Sequence, residues 1–276
     1  MATLFVVATP LGNLGDLSAR ATAVLRTVPV VAAEDTRRTR VLLDHVDAHP
    51  RLRSFHAHST EQSLEGLLEI LRGGEDVALV SDAGTPGISD PGTDLVHAAR
   101  EAGHVIVPIP GPSAIATLLS ASGLPADRFL FLGFLPRRGS ERSRLLGRAV
   151  VEEWSVVFYE APGRIAELLD DLKELAGPER RATIGRELTK LHEEIRHGTL
   201  EELHAHVAAA EPRGEFTVVL EGTGVPPAPE DRTEEATVSA RQWLTEGVTR
   251  REVSQRVAAE FGLSRNDAYR LVMRIT

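Results

Sequence analysis

The twelve residues Ser81-Asp-Ala-Gly-Thr-Pro-Gly-Ile-Ser-Asp-Pro-Gly92 leave this chain few options. They follow the apolar run Val77-Ala-Leu-Val80 and precede a helical pattern starting near Pro91. Three glycines, two prolines and two aspartates make neither a helix nor a strand, but they make a shaped loop at a strand end, where glycine lets the backbone approach a ligand closely. Strand ends of open α/β sheets are where small ligands bind. The loop has no lysine and no GxxxxGK[ST] pattern, so it is not built for nucleotide phosphates. Its acidic, carbonyl-rich character suits a neutral or cationic ligand. The alternative is an ornate structural turn.

The surrounding pattern is consistent with such a sheet. Strands are expected near 3–8, 29–33, 52–55, 76–80 and 104–108, with helices at 17–27, 36–46, 60–72, 91–102 and 112–121. This alternation predicts a mostly parallel sheet. Ser18, Thr36 and Thr60 are the expected helix N-caps. The rhythm breaks at Ser122-Gly-Leu-Pro-Ala126 and restarts, with strands near 128–134, 154–159, 181–185, 193–197 and 215–221 and helices near 141–151, 163–176 and 199–210. The expected organisation is an α/β domain over 1–123, a second over 124–222, a Pro-rich linker at 223–232 and a helical, basic extension over 233–276. In that extension Thr249-Arg-Arg-Glu252 fits a capping box, Gly262 a helix stop and Ser264 a further cap. Helix, short turn, helix is the outline of a helix-turn-helix, or of a small dimerisation or lid element.

Composition narrows the chemistry. The 276 residues contain no cysteine, which excludes disulfides, thiolate metal sites and cysteine nucleophiles. The histidines His56/His58 and His204/His206 stand two apart, with no HExxH, so no metal is expected. No apolar run reaches membrane-spanning length, and Met1-Ala-Thr-Leu-Phe-Val-Val looks like a first strand rather than a signal peptide, so a cytoplasmic protein without membrane contact is expected. The formal net charge is −9, yet residues 249–276 carry +3 and the rest −12. Further basic clusters are Arg37, Arg38 and Arg40, and Arg137, Arg138, Arg142, Arg144 and Arg148. On an acidic protein such clusters are either phosphate contacts or solvated helix faces.

Two more strand-end loops, Ala8-Thr-Pro-Leu-Gly-Asn-Leu-Gly-Asp16 and Pro108-Ile-Pro-Gly-Pro-Ser-Ala114, join the first, and neither is a dinucleotide fingerprint. Three such loops predict a pocket lined by backbone and small side chains. Phe158-Tyr-Glu-Ala-Pro162 and Gly185-Arg-Glu-Leu-Thr-Lys190 place charges at strand ends of the second half. Lys190 is one of only two lysines against 29 arginines.

Ala33-Glu-Asp-Thr-Arg37, SDAGTPGISDPG, Pro110-Gly-Pro-Ser-Ala114, FYEAP and RELTK, in this order, resemble the ribosomal RNA small-subunit methyltransferase I family, in the tetrapyrrole-methylase-like class that uses S-adenosylmethionine (SAM). The resemblance covers about Leu4 to Glu221, and the tail around Ser264-Arg-Asn-Asp-Ala-Tyr-Arg270 resembles that family's extension. It implies two α/β domains of the tetrapyrrole methylase type with a cleft between them, in a homodimer, and 2′-O-methylation of a cytidine ribose in the decoding centre of 16S rRNA within the small ribosomal subunit. It further implies that Pro10, Ala83, Gly84, Thr85, Ile88, Ser113 and Ala114 line the SAM site, with Glu160 and Thr189 contributing from the second domain. RNA contacts are expected at Arg37, Arg38, Arg137, Arg138, Arg142, Arg265 and Arg270. For a general base, Asp35, Glu187 and a Lys190 of depressed pKa are the candidates. One departure is Gly163, where a histidine is expected after FYEAP. The competing functions are a tetrapyrrole carbon methyltransferase of the same fold and an RNA-binding module that has lost SAM.

Overall fold

The computed structural model describes residues 2–56, 59–90, 92–209, 211–225, 233–261 and 263–275. His58, a helix start at Pro91, the Gly262 stop and linker residues 226–232 lie outside the described residues. The described residues of Met1–Pro226 form one compact unit and those of Pro227–Thr276 a second.

The first sheet contains β1 (Thr3–Val7), β2 (Val30–Ala33), β3 (Arg51–Ser54), β4 (Val77–Val80) and β5 (Val105–Ile109), all parallel, in the order β3-β2-β4-β1-β5. Because side chains alternate along a strand, Val31, Ala33, Ala78 and Val80 pack on one face with Leu25, Leu42 and Leu43. Val30, Ala32, Val77 and Leu79 pack on the other with Leu67, Leu71 and Leu95. Strands buried on both faces must be apolar throughout, which is why VVAA and VALV show no polar alternation. The covering helices are α1 (Ala19–Thr27), α2 (Thr36–His45), α3 (Glu61–Arg72) and α4 (Thr93–Glu101). Ser18 and Thr60 cap α1 and α3 as expected, but Thr36 does not cap α2. Asp35 does, its carboxylate accepting the Arg37 N–H at 2.8 Å. Asp35 is in the extended conformation a cap requires, and Thr36 is already helical.

The second sheet is mixed. Strands β6 (Phe129–Phe134), β7 (Ser155–Glu160), β8 (Arg181–Arg186), β9 (Glu194–Thr199) and β10 (Phe216–Leu220) lie in the order β6-β7-β10-β8-β9, with only β6 and β7 parallel. Helices α6 (Ser140–Val151), α7 (Ile165–Ala176) and α8 (Leu200–Ala208) supply the core on one face. The opposite face is covered by α5 (Ala114–Ser122), which precedes the expected boundary near 124. Ile115, Leu118 and Leu119 of α5 pack on Val157 and Val219. A Cβ on Gly185 of β8 would lie 2.7 Å from Leu118, so the helix sits directly against backbone there. A helix of the first half thus ties both sheets into one body.

In the second unit α9 (Thr233–Thr245), α10 (Arg250–Phe261) and α11 (Arg265–Arg274) bury Ala236, Ala240, Val253, Val257, Ala268 and Val272. It is therefore a three-helix unit rather than a bare helix pair. Thr249 and Glu252 cap α10 reciprocally, each backbone N–H reaching the other's side chain at 3.3 Å. Leu118 is fully buried, so Leu118→Ala is expected to destabilise the first unit by about 2–5 kcal/mol. Urea unfolding of the full chain, monitored in the near-ultraviolet, measures this.

Candidate functional site

The loops after β1, β4 and β5 meet at the carboxyl edge of the first sheet. Thr9 N–H donates to the Gly84 carbonyl at 2.8 Å, and Gly84 N–H donates back to the Thr9 carbonyl at 3.0 Å. The Thr9 hydroxyl donates to the Ser81 carbonyl at 3.0 Å, and the Thr85 hydroxyl donates to the Pro112 carbonyl at 3.2 Å. Gly84 has φ +85°, a conformation L residues rarely adopt. The backbone beyond it turns through Gly87, Ser89 and Gly92, also at positive φ.

These loops form one wall of a hollow of about 390 Å³, within the size range of small-molecule sites. Ala83, Gly84, Thr85, Ile88, Ser113 and Ala114 line it from the first half, and Tyr159, Glu160, Ala161 and Pro162 from the end of β7. Glu215 and the start of β10, Phe216-Thr217, complete the far side because Phe216 pairs with Glu160. Gly133, at a bulge in β6, brings the second sheet close: a Cβ there would stand 3.0 Å from the Ser89 hydroxyl.

Among the described residues, five carboxylates line the hollow, Glu34, Asp82, Asp90, Glu160 and Glu215, against a single cation, Arg38. Arg38 lies 3.5 Å from Asp82, which also accepts the Asp35 N–H at 2.9 Å. Burial pushes the Asp90 carboxyl up to about 7, helped by neighbouring Glu34 and Asp82 and opposed by Ser81. Burial, then the Asp90 charge across the hollow, pushes the Tyr159 phenol up to about 12. Glu160 is also raised by burial, although its Oε1 accepts the Ala161 N–H at 2.9 Å and Arg164 lies 3.1 Å away. A small-residue cradle with an acidic lining and no lysine fits a ligand carrying a sulfonium, and SAM is such a ligand.

A model of the tetrapyrrole (corrin/porphyrin) methylases matches residues 3–204. The ribosomal RNA small subunit methyltransferase I of Synechocystis is 42% identical over 275 residues, covering 100% of this chain and 99% of its own. The chain belongs to the ribosomal RNA small subunit methyltransferase I family. The family's protein from Xylella fastidiosa is 50% identical over 80% of this chain and 81% of its own. A uroporphyrin-III C-methyltransferase from Thermus thermophilus, solved with S-adenosyl homocysteine, is 19% identical with a TM-score of 0.57, covering 81% of this chain and 98% of that one. That likeness is one of fold, the two-sheet tetrapyrrole methylase fold.

Several residues expected in this family's site lie elsewhere. Pro10 is buried and does not line the hollow. Thr189 does not line it either; it sits at φ +65° beside Glu187 at φ +49°, a strained turn in the RELTK loop. Lys190 is not a base: its ammonium lies 2.9 Å from both Glu187 and Glu215, and these bonds raise its pKa against the opposing effect of burial. Its stem packs on Gly12, where a Cβ would collide with it. Glu187 is spent in that pair and in accepting the Glu215 N–H at 3.0 Å, which together outweigh burial and hold its carboxyl low. Asp35 is committed to capping α2 and to the Arg37 side chain, which holds its carboxyl well below the usual range. Arg142 is a further correction. It is 6% exposed, donates to Asp171 at 3.1 Å and to the Pro136 carbonyl at 3.2 Å, and cannot reach RNA. Arg37, Arg137, Arg138, Arg265 and Arg270 are exposed, as is Arg38 at the mouth of the hollow. Gly163 is exposed with nothing within 4 Å of an added Cβ, so the space for a histidine is open.

Site residues that sequence reasoning missed include Glu34, Asp90, Tyr159 and Glu215–Thr217. The first three stand inside the motifs that carry the family resemblance, and that membership was the available signal. Gly84→Val is expected to weaken SAM binding at least about tenfold, because a branched side chain at φ +85° distorts the wall. Calorimetry measures the loss, and an unchanged far-ultraviolet spectrum checks that the fold is kept.

Proposed function

We propose that this protein methylates the 2′-hydroxyl of a cytidine ribose in the decoding centre of 16S rRNA, with SAM as methyl donor. The observation that supports this best is the acid-lined hollow built from the family's ordered motifs, in a chain that matches a small-subunit rRNA methyltransferase over its full length. SAM, when bound, supplies an electrophilic methyl on a positively charged sulfur. Ala83, Gly84, Thr85, Ile88, Ser113 and Ala114 would hold it from the first sheet and Glu160 from the second. The Glu160 carboxylate, the other acidic residues of the lining and the loop carbonyls favour the positive charge, and the rigid strand ends align the reacting atoms, which is where most of the rate enhancement of such a displacement originates.

Tetrapyrrole carbon methylation is the weaker reading, since the uroporphyrin enzyme shares 19% identity where the ribosomal enzymes share 42% and 50%. An RNA-binding module without SAM would have no use for a shaped, acid-lined hollow. The proposal includes a cytoplasmic homodimer, with RNA contacts by Arg37, Arg38, Arg137 and Arg138 of the first unit and, separately, by Arg265 and Arg270 of the second. Among the described residues no helix is long and apolar enough to cross a membrane.

Incubation with methyl-labelled SAM and unmodified small subunits, followed by mass spectrometry of nuclease fragments, tests the function. The expected product is one methyl on a cytidine ribose; label on a base, or none, contradicts it. For the RNA surface, replacing Arg137 and Arg138 by alanine is expected to reduce the salt dependence of RNA binding by about 0.7–0.9 for each phosphate that is no longer neutralised. SAM affinity should be unchanged. A filter-binding salt series gives the slope.

A further inference from the structure

A second hollow, of about 640 Å³, lies beside the first. Phe55, Ser59, Thr60, Leu64, Thr93 and Asp94 line its outer side. Glu34, Ser89 and Asp90 line both hollows, so they form the partition between them. Phe55 is buried and belongs to the apolar cluster beneath α3, which gives this hollow a firm floor. The partition is also firm. Ser89 is held at φ +58° between glycines 87 and 92 at positive φ, and a Cβ at Gly92 would lie 2.8 Å from the core residue Leu79. Asp90 therefore stands between a space suited to the methyl donor and a second space beside it.

Building on the rRNA methyltransferase reading, we propose that the second hollow admits the acceptor nucleoside and that Asp90, backed by Glu34, is the general base for its ribose hydroxyl. As the ribose oxygen forms its bond to the methyl carbon, the carbon–sulfur bond breaks and its electron pair stays on sulfur. The hydroxyl proton passes to the Asp90 carboxylate. The positive charge on sulfur and the negative charge on the carboxylate disappear together, leaving the neutral sulfide, the methyl ether and a carboxylic acid.

The surroundings tune Asp90 for this work. A general base is most effective with a pKa near the working pH, and burial with Glu34 and Asp82 nearby brings Asp90 up to about 7. Glu34 comes from the end of β2 and Asp82 from the β4 loop, and Ser81 and the Tyr159 phenol also face Asp90. Asp94, Glu61 and His56 face it through the second hollow. Arg38 is engaged with Asp82. A carboxyl raised in this way carries its proton below about pH 7 and loses it above. The methyl-transfer rate should therefore rise with pH through that region.

Two measurements on the full chain test this. In the ligand-free protein, carboxyl carbon NMR should show Asp90 titrating near 7, and Glu34→Gln should lower that midpoint by at least about one unit. In single turnovers with small subunits and labelled SAM at a concentration that calorimetry shows to be saturating for each variant, Asp90→Asn should slow transfer by roughly 10²–10⁴-fold and abolish the acid limb. Glu34→Gln should move the acid limb of the remaining transfer to lower pH, which decides the matter even where Asp90→Asn no longer binds SAM. Transfer by Asp90→Asn at near wild-type rate, or an Asp90 midpoint near 4, overturns the proposal. Absence of any incorporation by the wild-type protein instead overturns the rRNA methyltransferase reading, and this inference with it.

Discussion

The paired hydrogen bonds between Thr9 and Gly84 lock together the loops that leave β1 and β4. These strands are neighbours in the sheet although about seventy residues separate them in sequence. Each loop alone is a Gly- and Pro-rich segment with many options. Once bridged, their backbones are fixed on a sheet buried on both sides. The Thr9, Ser81 and Thr85 hydroxyls add further bonds, to the Ser81, Gly84 and Pro112 carbonyls. The opposite wall depends on α5, whose leucines press on the second sheet and hold β7 and β10 against the first half. The hollow thus belongs to a single body.

Electrostatics give this cradle its selectivity. Five carboxylates and one engaged arginine make a surface hostile to free phosphates and favourable to a sulfonium. Of the first unit's exposed arginines proposed to meet RNA, Arg37, Arg137 and Arg138 are not part of this lining, whereas Arg38 is. Arg142 and Lys190 show that neither charge clustering nor the rarity of a residue type in the sequence identifies function. One closes a buried pair with Asp171, and the other clasps Glu187 and Glu215 while its stem covers Gly12.

The strands and most helices were legible because apolar runs such as VVAA and VALV are what a doubly covered parallel sheet requires. That Ala83, Gly84, Thr85 and Ile88 line a hollow was legible through loop composition and motif order. What escaped was set by tertiary placement. Nothing local distinguishes Asp90 from Asp82; the difference is that Asp90 stands in the partition, near Glu34 and Tyr159. Glu215–Thr217 carry no motif and enter the site only because β10 lies between β7 and β8. Helix α9 was not separately legible because its buried residues are the alanines 236 and 240, a thin apolar stripe. Asp35 looked like a candidate base because its commitment to capping α2 depends on backbone conformation that the letters do not display.

The central claim is that the hollow between the two sheets is where SAM binds. A crystal structure of the full chain with S-adenosylhomocysteine tests this most directly. The account predicts density for the ligand between Gly84, Ala114 and Glu160, with Asp90 at its edge facing the second hollow. Ligand density at any other place, with this hollow holding only solvent, would contradict it.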